Sequence, residues 1–321
     1  MGEFQSIGQW WMWASFGLFV IAMLAIDILA LGRKGAHKVS TKEALVWSLI
    51  WFTLALAFGG ALWAWLDHTS GRTIADAKAM EYLTGYLLEK TLAMDNIFVF
   101  VMLFTYFAVP MEYQKRVLVY GVLGAIILRA LMILLGAWLI AEFHWVLYVF
   151  GAFLLITGIK MFIFADKEPN LAQNPLLKWL KKHMRITDTY HGDKFWVTKN
   201  GVRWFTPMFL VLILVEFSDV IFAMDSIPAI FAITSDPFIV FTSNIFAILG
   251  LRALYFLLAD MADRFHLLKY GLAVVLMFVG TKMLIVEWFK IPVAVSLAVV
   301  VAVLGISILL SLKSTQHKTL R

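Results

Sequence analysis

Apolar residues occur along this chain in blocks too long for a soluble core. Nine stretches, at about 8–31, 43–66, 82–107, 117–141, 144–165, 205–233, 238–260, 267–289 and 291–312, each hold the roughly 20 mainly apolar residues a helix needs to cross a bilayer. Short polar turns separate them, except for one long polar stretch at 166–204. Only helices and closed barrels satisfy their backbone groups in lipid, and blocks of this length suit helices. The pattern therefore predicts an all-α membrane protein of about nine transmembrane helices, forming a single polytopic membrane domain over 1–321.

Composition agrees with this reading and narrows it. The chain is 62% hydrophobic and 15% charged, with a mean hydropathy of +0.85. It has no Cys, which removes disulfides, thiolate metal sites and cysteine nucleophiles together. A net charge of +6 could suggest nucleic acid, but the basic residues gather in loops on one side of the predicted bundle. Nineteen Lys and Arg lie on that side, in 33–42, 115–116, 166–204, 264–269 and 313–321, against Arg72, Lys78 and Lys290 on the other. The positive-inside rule makes the first side cytoplasmic, which places the N-terminus outside and the C-terminus inside. The first residues lack a basic n-region and a small-residue cleavage site, so they read as the start of an uncleaved first span.

A duplication runs through the blocks. LAMDNI at 92–97 returns as FAMDSI at 222–227, LRAL at 128–131 as LRAL at 251–254, and GIKM at 158–161 as GTKM at 280–283. Order and near-register persist over three spans, which defines two units, 82–165 and 205–290. Two leading spans (1–81) precede them, the 166–204 loop separates them, and a last span with a basic tail (291–321) follows. An odd number of spans per unit turns the second copy upside down. Inverted repeats of this kind are common in secondary transporters, whose sites lie where the halves meet. Within the loop, LLKWLKKHMRI at 176–186 alternates apolar and basic residues at helical spacing. It suits either the anionic leaflet or a solvated linker. Asn200-Gly201 between apolar flanks predicts a type I′ hairpin, serving as a plug or a brace under the bundle.

Charge inside the spans is the candidate chemistry. Six carboxylates fall there: Asp27, Glu89, Asp95, Glu216, Asp219 and Asp225. Five cations accompany them: Lys90, Arg129, Lys160, Arg252 and Lys282. Each isolated acid at membrane depth costs about 2.5–3.5 kcal/mol, so the acids must face one another, a cation or water. A structural ion-pair network and a cation site both satisfy that requirement. In each copy an acid precedes the motif aspartate by six residues (Glu89 before Asp95, Asp219 before Asp225). Six residues leave two side chains about 120° apart on a regular helix. Either the two point to different partners, or the helix breaks between them. Pro228 cannot donate to the carbonyl of Met224, which leaves a free oxygen beside Asp225. Asn96, Ser226 and Asn244 supply further oxygens. A carboxylate, amide, hydroxyl and carbonyl set suits magnesium, calcium or manganese rather than zinc or copper. Met94 and Met224, each preceding a motif aspartate, could add thioether ligation, although packing is the plainer reading. Arg129 and Arg252 occupy matching places in the repeat. They serve either to neutralise the acids while no cation is bound or as fixed salt bridges. Lys160 and Lys282 are candidates for the same charge-neutralising or gating role.

These strings resemble those of the TerC family of integral membrane proteins, and most closely its Alx-like branch. The resemblance is carried by GYLLEKTLAMDNIFVF (85–100), LVLILVEFSDVIFAMDSIPAIFAITSDPF (210–238), SNIFAILGLRALYFLLA (243–259), KYGLAVVLMFVGTKMLIV (269–286) and RKGAH (33–37). It covers nearly the whole chain. It implies a bacterial inner-membrane protein that exports manganese, in exchange for protons, with kinship to transporters of the LysE type. The family's acidic residues carry over onto Glu89, Asp95, Glu216, Asp219 and Asp225, with Asp27 joining from the first span. The expectation is thus a non-enzymatic secondary exporter, with Mn²⁺ as the transported ion and no resident cofactor. Its partners would be a divalent cation, protons and the bilayer, and not nucleic acid. Its rivals are an alkali-cation/proton exchanger and a non-transporting scaffold for metal loading of exported proteins. An intramembrane aspartyl protease is disfavoured, because no GxGD string is present.

Overall fold

The computed structural model describes residues 6–34, 40–143, 145–164, 174–259 and 267–319; of these, the side chains of 27–34, 94, 95 and 315–319 lie outside the description. Eleven helices and one hairpin are described. They are α1 (Trp10–Lys34), α2 (Thr41–Ser70), α3 (Arg72–Tyr106), α4 (Met111–Glu142), α5 (Val146–Ile163), α6 (Pro175–His183), β1 (Trp196–Lys199), β2 (Val202–Phe205), α7 (Pro207–Phe231), α8 (Pro237–Leu249), α9 (Leu251–Leu258), α10 (Leu268–Leu284) and α11 (Val293–Thr319).

Each of the nine predicted apolar blocks coincides with a helix, or with the α8–α9 pair. Five helices (α2, α4, α5, α7 and α11) are long and apolar enough to cross a membrane, and α8 with α9, bent 40° at Gly250, makes a sixth. The others differ for specific reasons. Over its described side chains α1 is apolar from Trp10 to Ile26. Helix α10 is 17 residues long. Helix α3 carries charge along its length, because it starts at Arg72, ten residues earlier than its apolar block suggested. Gly71 causes this early start. Its φ of +89° turns the chain directly from α2 into α3, and Arg72 reaches back to Asp67 at 2.9 Å.

Two packing relationships position the centre of the bundle. Helix α3 lies against α8 as α7 lies against α4, and α3 and α7 also touch each other. Helices α5 and α10 run antiparallel in the closest contact of the fold. Glycines permit it: a Cβ on Gly280 would stand 2.7 Å from the carbonyl oxygen of Gly151, and one on Gly158 would stand 2.9 Å from that of Ala273.

The polar segment folds as a brace. Asn174 caps α6 by accepting from the amides of Leu176 and Leu177. Leu177 and Leu180 pack into the same apolar cluster as Phe195, Phe104, Leu118 and Leu210. The apolar face of α6 is therefore spent on the bundle rather than on a leaflet, while Lys178, Trp179, Lys181 and Lys182 remain exposed. The type I′ turn forms as expected, with φ of +52° at Asn200 and +74° at Gly201, and Trp196 pairs with Phe205. The Tyr190 hydroxyl donates to the carbonyl of Phe107 at 2.6 Å, and Arg116 pairs with Asp193 at 2.6 Å. The segment thus ties the end of α3 to the start of α4. Burial pushes the Tyr190 phenol up to about 12.

Candidate functional site

Arg129, in the middle of α4, is 1% exposed and is the hub of a buried polar network. Its Nη1 donates to Glu89 of α3, to Ser226 Oγ of α7 at 3.1 Å and to Asn244 Oδ1 of α8 at 3.2 Å. Its Nη2 reaches Asp219 Oδ1 of α7 at 3.2 Å, and its Nε reaches Oδ2 at 3.4 Å. Asn96 of α3 also donates to Asp219, at 3.0 Å. Four helices thus converge on one guanidinium, whose five donors and fixed fork suit it to several acceptors at once.

The network is compensated but not saturated. One cation faces two carboxylates, and Glu89 Oε2, Asn96 Oδ1 and Asn244 Nδ2 are buried without a hydrogen-bond partner. Buried polar atoms are paired in the great majority of proteins, so the two unpaired oxygens mark capacity that a ligand could use. Among the described residues, no three acidic or His side chains converge closely enough to hold a metal ion. Glu89 and Asp219 occur here in their Arg-held form.

A cavity of about 300 Å³ adjoins the hub. Its wall includes Asn96 of α3, Arg129, Lys160 of α5, and Asp225 and Ser226 of α7. The Thr157 hydroxyl bonds to Asp225, and the Lys160 charge acts on it. Helix α7 is continuous through Asp219, Asp225 and Pro228, so the spacing is resolved by different partners. Asp219 meets Arg129, and Asp225, a third of a turn round the axis, meets Thr157 and Lys160.

The structure separates several residues that the sequence grouped. Glu216 is wedged into the notch at Gly124, where a Cβ would stand within 2.3 Å of its carboxyl carbon, and its Oε2 has no hydrogen-bond partner. Arg252 of α9 lines a small crevice with Asp219. Lys282 is not at the hub; it donates to Ser296 Oγ of α11 at 3.0 Å. Met224 is 49% exposed and takes no part in the cavity wall, so its thioether is not a ligand in this arrangement. Asp95 lies in α3 and Asp27 in α1, but their side chains, like that of Met94, lie outside the described residues. Sequence reasoning missed Thr157. The available signal was its place three residues before Lys160, one turn away on the same helical face.

Residues 74–319 match the family model described as the integral membrane protein TerC family. The chain is 57% identical over 306 residues to a protein of Escherichia coli K12 named Alx, a candidate membrane-bound redox modulator, covering 95% of each chain. It is 56% identical over 306 residues to the Salmonella typhi protein of the same name, again over 95% of each. An uncharacterised membrane protein of Myxococcus xanthus, STKORF319, is 49% identical over 317 residues, covering 99% of this chain and 97% of that one. No solved structure matches.

Proposed function

The chain belongs to the TerC family of integral membrane proteins, and from that premise we propose that it is a secondary transporter exporting Mn²⁺ across the bacterial inner membrane in exchange for protons. The observation that carries this reading is the double hold of Arg129. It binds Glu89 from the first copy of the acidic motif and Asp219 from the second, beside a cavity that Asp225 faces. Buried pairs of this kind seldom stabilise more than apolar residues of similar volume, so stability alone does not account for them. An internal cation that holds acids from both copies is a stand-in that an incoming divalent cation can displace.

The packing favours inverted halves. The partners swap as a two-fold axis in the membrane plane requires: α3 on α8 matches α7 on α4, and α5 meets its own counterpart α10 antiparallel. In the proposed cycle a hard cation enters the cavity and meets Asp225, with Ser226 and Asn96 as neutral oxygens. Arg129 then withdraws from Glu89 or Asp219, and the freed carboxylate completes the site. Protonation of the same carboxylates releases the cation. The alternative of alkali-cation exchange uses the same acids. The name carried by the relatives suggests redox modulation, and with no Cys in the chain that role would not run through thiol–disulfide exchange here.

The test is Mn²⁺ efflux from loaded proteoliposomes, with Na⁺ and K⁺ arms. Wild type should move Mn²⁺ out and acidify the lumen in step, whereas Asp225→Asn and Asp95→Asn should each lose at least tenfold in rate. Unchanged flux in both variants overturns the reading, and flux of Na⁺ or K⁺ alone favours the exchanger.

A further inference from the structure

The two lysines that the repeat makes equivalent, Lys160 in GIKM and Lys282 in GTKM, have opposite surroundings. Lys160 lines the open cavity with Asp225. Lys282 is 8% exposed and donates to Ser296, which is 1% exposed. Glu81 is the carboxylate whose charge acts on Lys282. Glu81 also pairs with Lys78 at 2.8 Å and accepts from the Thr234 hydroxyl. Four elements are pinned together there: α3, the turn after α7, α10 and α11.

The two places are displaced from each other along every helix they share. On α3 the cavity takes Leu92 and Asn96, while Glu81 lies eight residues, about 12 Å, before Glu89. On α7 the cavity takes Phe222, Asp225 and Ser226, while Thr234 follows the end of that helix. On α10 the cavity takes Leu272 and Leu276, and Lys282 lies six residues further on. The cavity also includes Phe164, the residue that closes α5. One end is open and holds one lysine; the other is shut over its counterpart.

We propose that Glu81, Thr234, Lys282 and Ser296 form the shut gate at the far end of the cation path, the counterpart of the open cavity in which Lys160 faces Asp225. Inverted halves exchange environments as the transporter alternates. Lys282 then withdraws from Ser296, and Glu81 becomes the last carboxylate the cation meets. The Glu81 oxygens, with the hydroxyls of Thr234 and Ser296, form a small hard-donor set fit for a divalent cation. This inference rests on the transport reading.

The natural lack of Cys makes the test direct. Single cysteines at Ser296 (gate) and Met161 (cavity) are placed in the full chain in proteoliposomes and titrated with a small charged thiol reagent from each side. The Met161→Cys protein should react from one side, and the Ser296→Cys protein at least tenfold more slowly from either. Adding Glu81→Gln or Lys282→Met should raise Ser296→Cys reactivity at least tenfold from the other side and lower that of Met161→Cys. Glu81→Asp and Lys282→Arg, which keep the charges, should restore most of the slow labelling; they also guard against a variant that fails to fold. Ser296→Cys labelling unchanged in both neutral variants overturns the gate, as does labelling of both positions from one side in every variant. The readout needs no Mn²⁺ flux. A protein that moves no Mn²⁺ yet shows the swap refutes the cargo and keeps the gate, and the converse result does the reverse.

Discussion

A Cβ on Gly280 would stand 2.7 Å from the carbonyl oxygen of Gly151 and 2.6 Å from the amide of Leu155. Both obstacles are backbone, so no side-chain rotation relieves them. Gly280→Ala must push α10 off α5, and overpacking of this kind typically costs about 1–3 kcal/mol. Gly60, in α2, has open space where its Cβ would go. Gly60→Ala should be neutral or stabilising by up to roughly 1 kcal/mol, because alanine restrains the unfolded chain. Thermal midpoints in one detergent should separate the two: lower for Gly280→Ala, unchanged or higher for Gly60→Ala.

Arg129 supplies the positive charge that both the Glu89 and Asp219 carboxyls face. Arg129→Met removes it and leaves both buried without a cation, Asp219 keeping only its hydrogen bond from Asn96. Breaking one such pair costs about 3–5 kcal/mol. The Arg129→Met, Glu89→Gln, Asp219→Asn triple variant removes the mismatch, so it should regain most of the lost melting temperature while remaining inactive in efflux. Arg129→Lys keeps the charge but replaces the planar fork with a point donor. It cannot span acceptors on three neighbouring helices, and its efflux rate should fall at least tenfold with the fold intact by size exclusion. Wild-type rates in the Lys variant would reduce Arg129 to a diffuse counter-charge.

Much of this was readable from the chain, and the exceptions have physical causes. The apolar blocks marked every long helix, because membrane-depth burial demands them. The repeated strings marked the acids and Arg129, because polar residues in such blocks need partners. Which acid meets which cation depends on helix rotation and packing, and no spacing rule supplies those. From the sequence Lys282 reads as charge-neutralising or gating, and only the fold shows that its partner is Ser296 of α11. Glu81 was overlooked because it falls one residue outside the apolar block starting at 82; Gly71 starts α3 ten residues ahead of that block. Thr157 carries no charge, so only its contact with Asp225 reveals it.

Tyr190 gives the brace a pH dependence. Its phenol titrates near 12 when folded and near 10 in an unfolded chain. Below pH 10 both states are protonated, and its hydrogen bond to Phe107 contributes in full. Between about pH 10 and 12 the unfolded state gives up the proton while the folded state holds it, so stability falls as pH rises through that window. Tyr190→Phe lacks both the bond and the titration. Its melting temperature should lie below that of wild type at pH 8, and the gap should narrow steadily from pH 10 to 12. A constant gap over that range would exclude Tyr190 as the titrating group.

Lys160 shares the cavity with Asp225 and should set how readily a cation leaves. A lysine ammonium and a bound cation about 5 Å apart repel by roughly 3 kcal/mol per unit charge at an effective dielectric near 20. Lys160→Met removes that repulsion, so Mn²⁺ binding in detergent should tighten at least tenfold by calorimetry. Release should slow for the same reason, and the maximal efflux rate should drop although the site binds better. Lys160→Arg keeps the charge and should leave affinity near that of wild type. This split between affinity and turnover separates an electrostatic ejector from a merely structural lysine, whose loss would weaken binding and flux together.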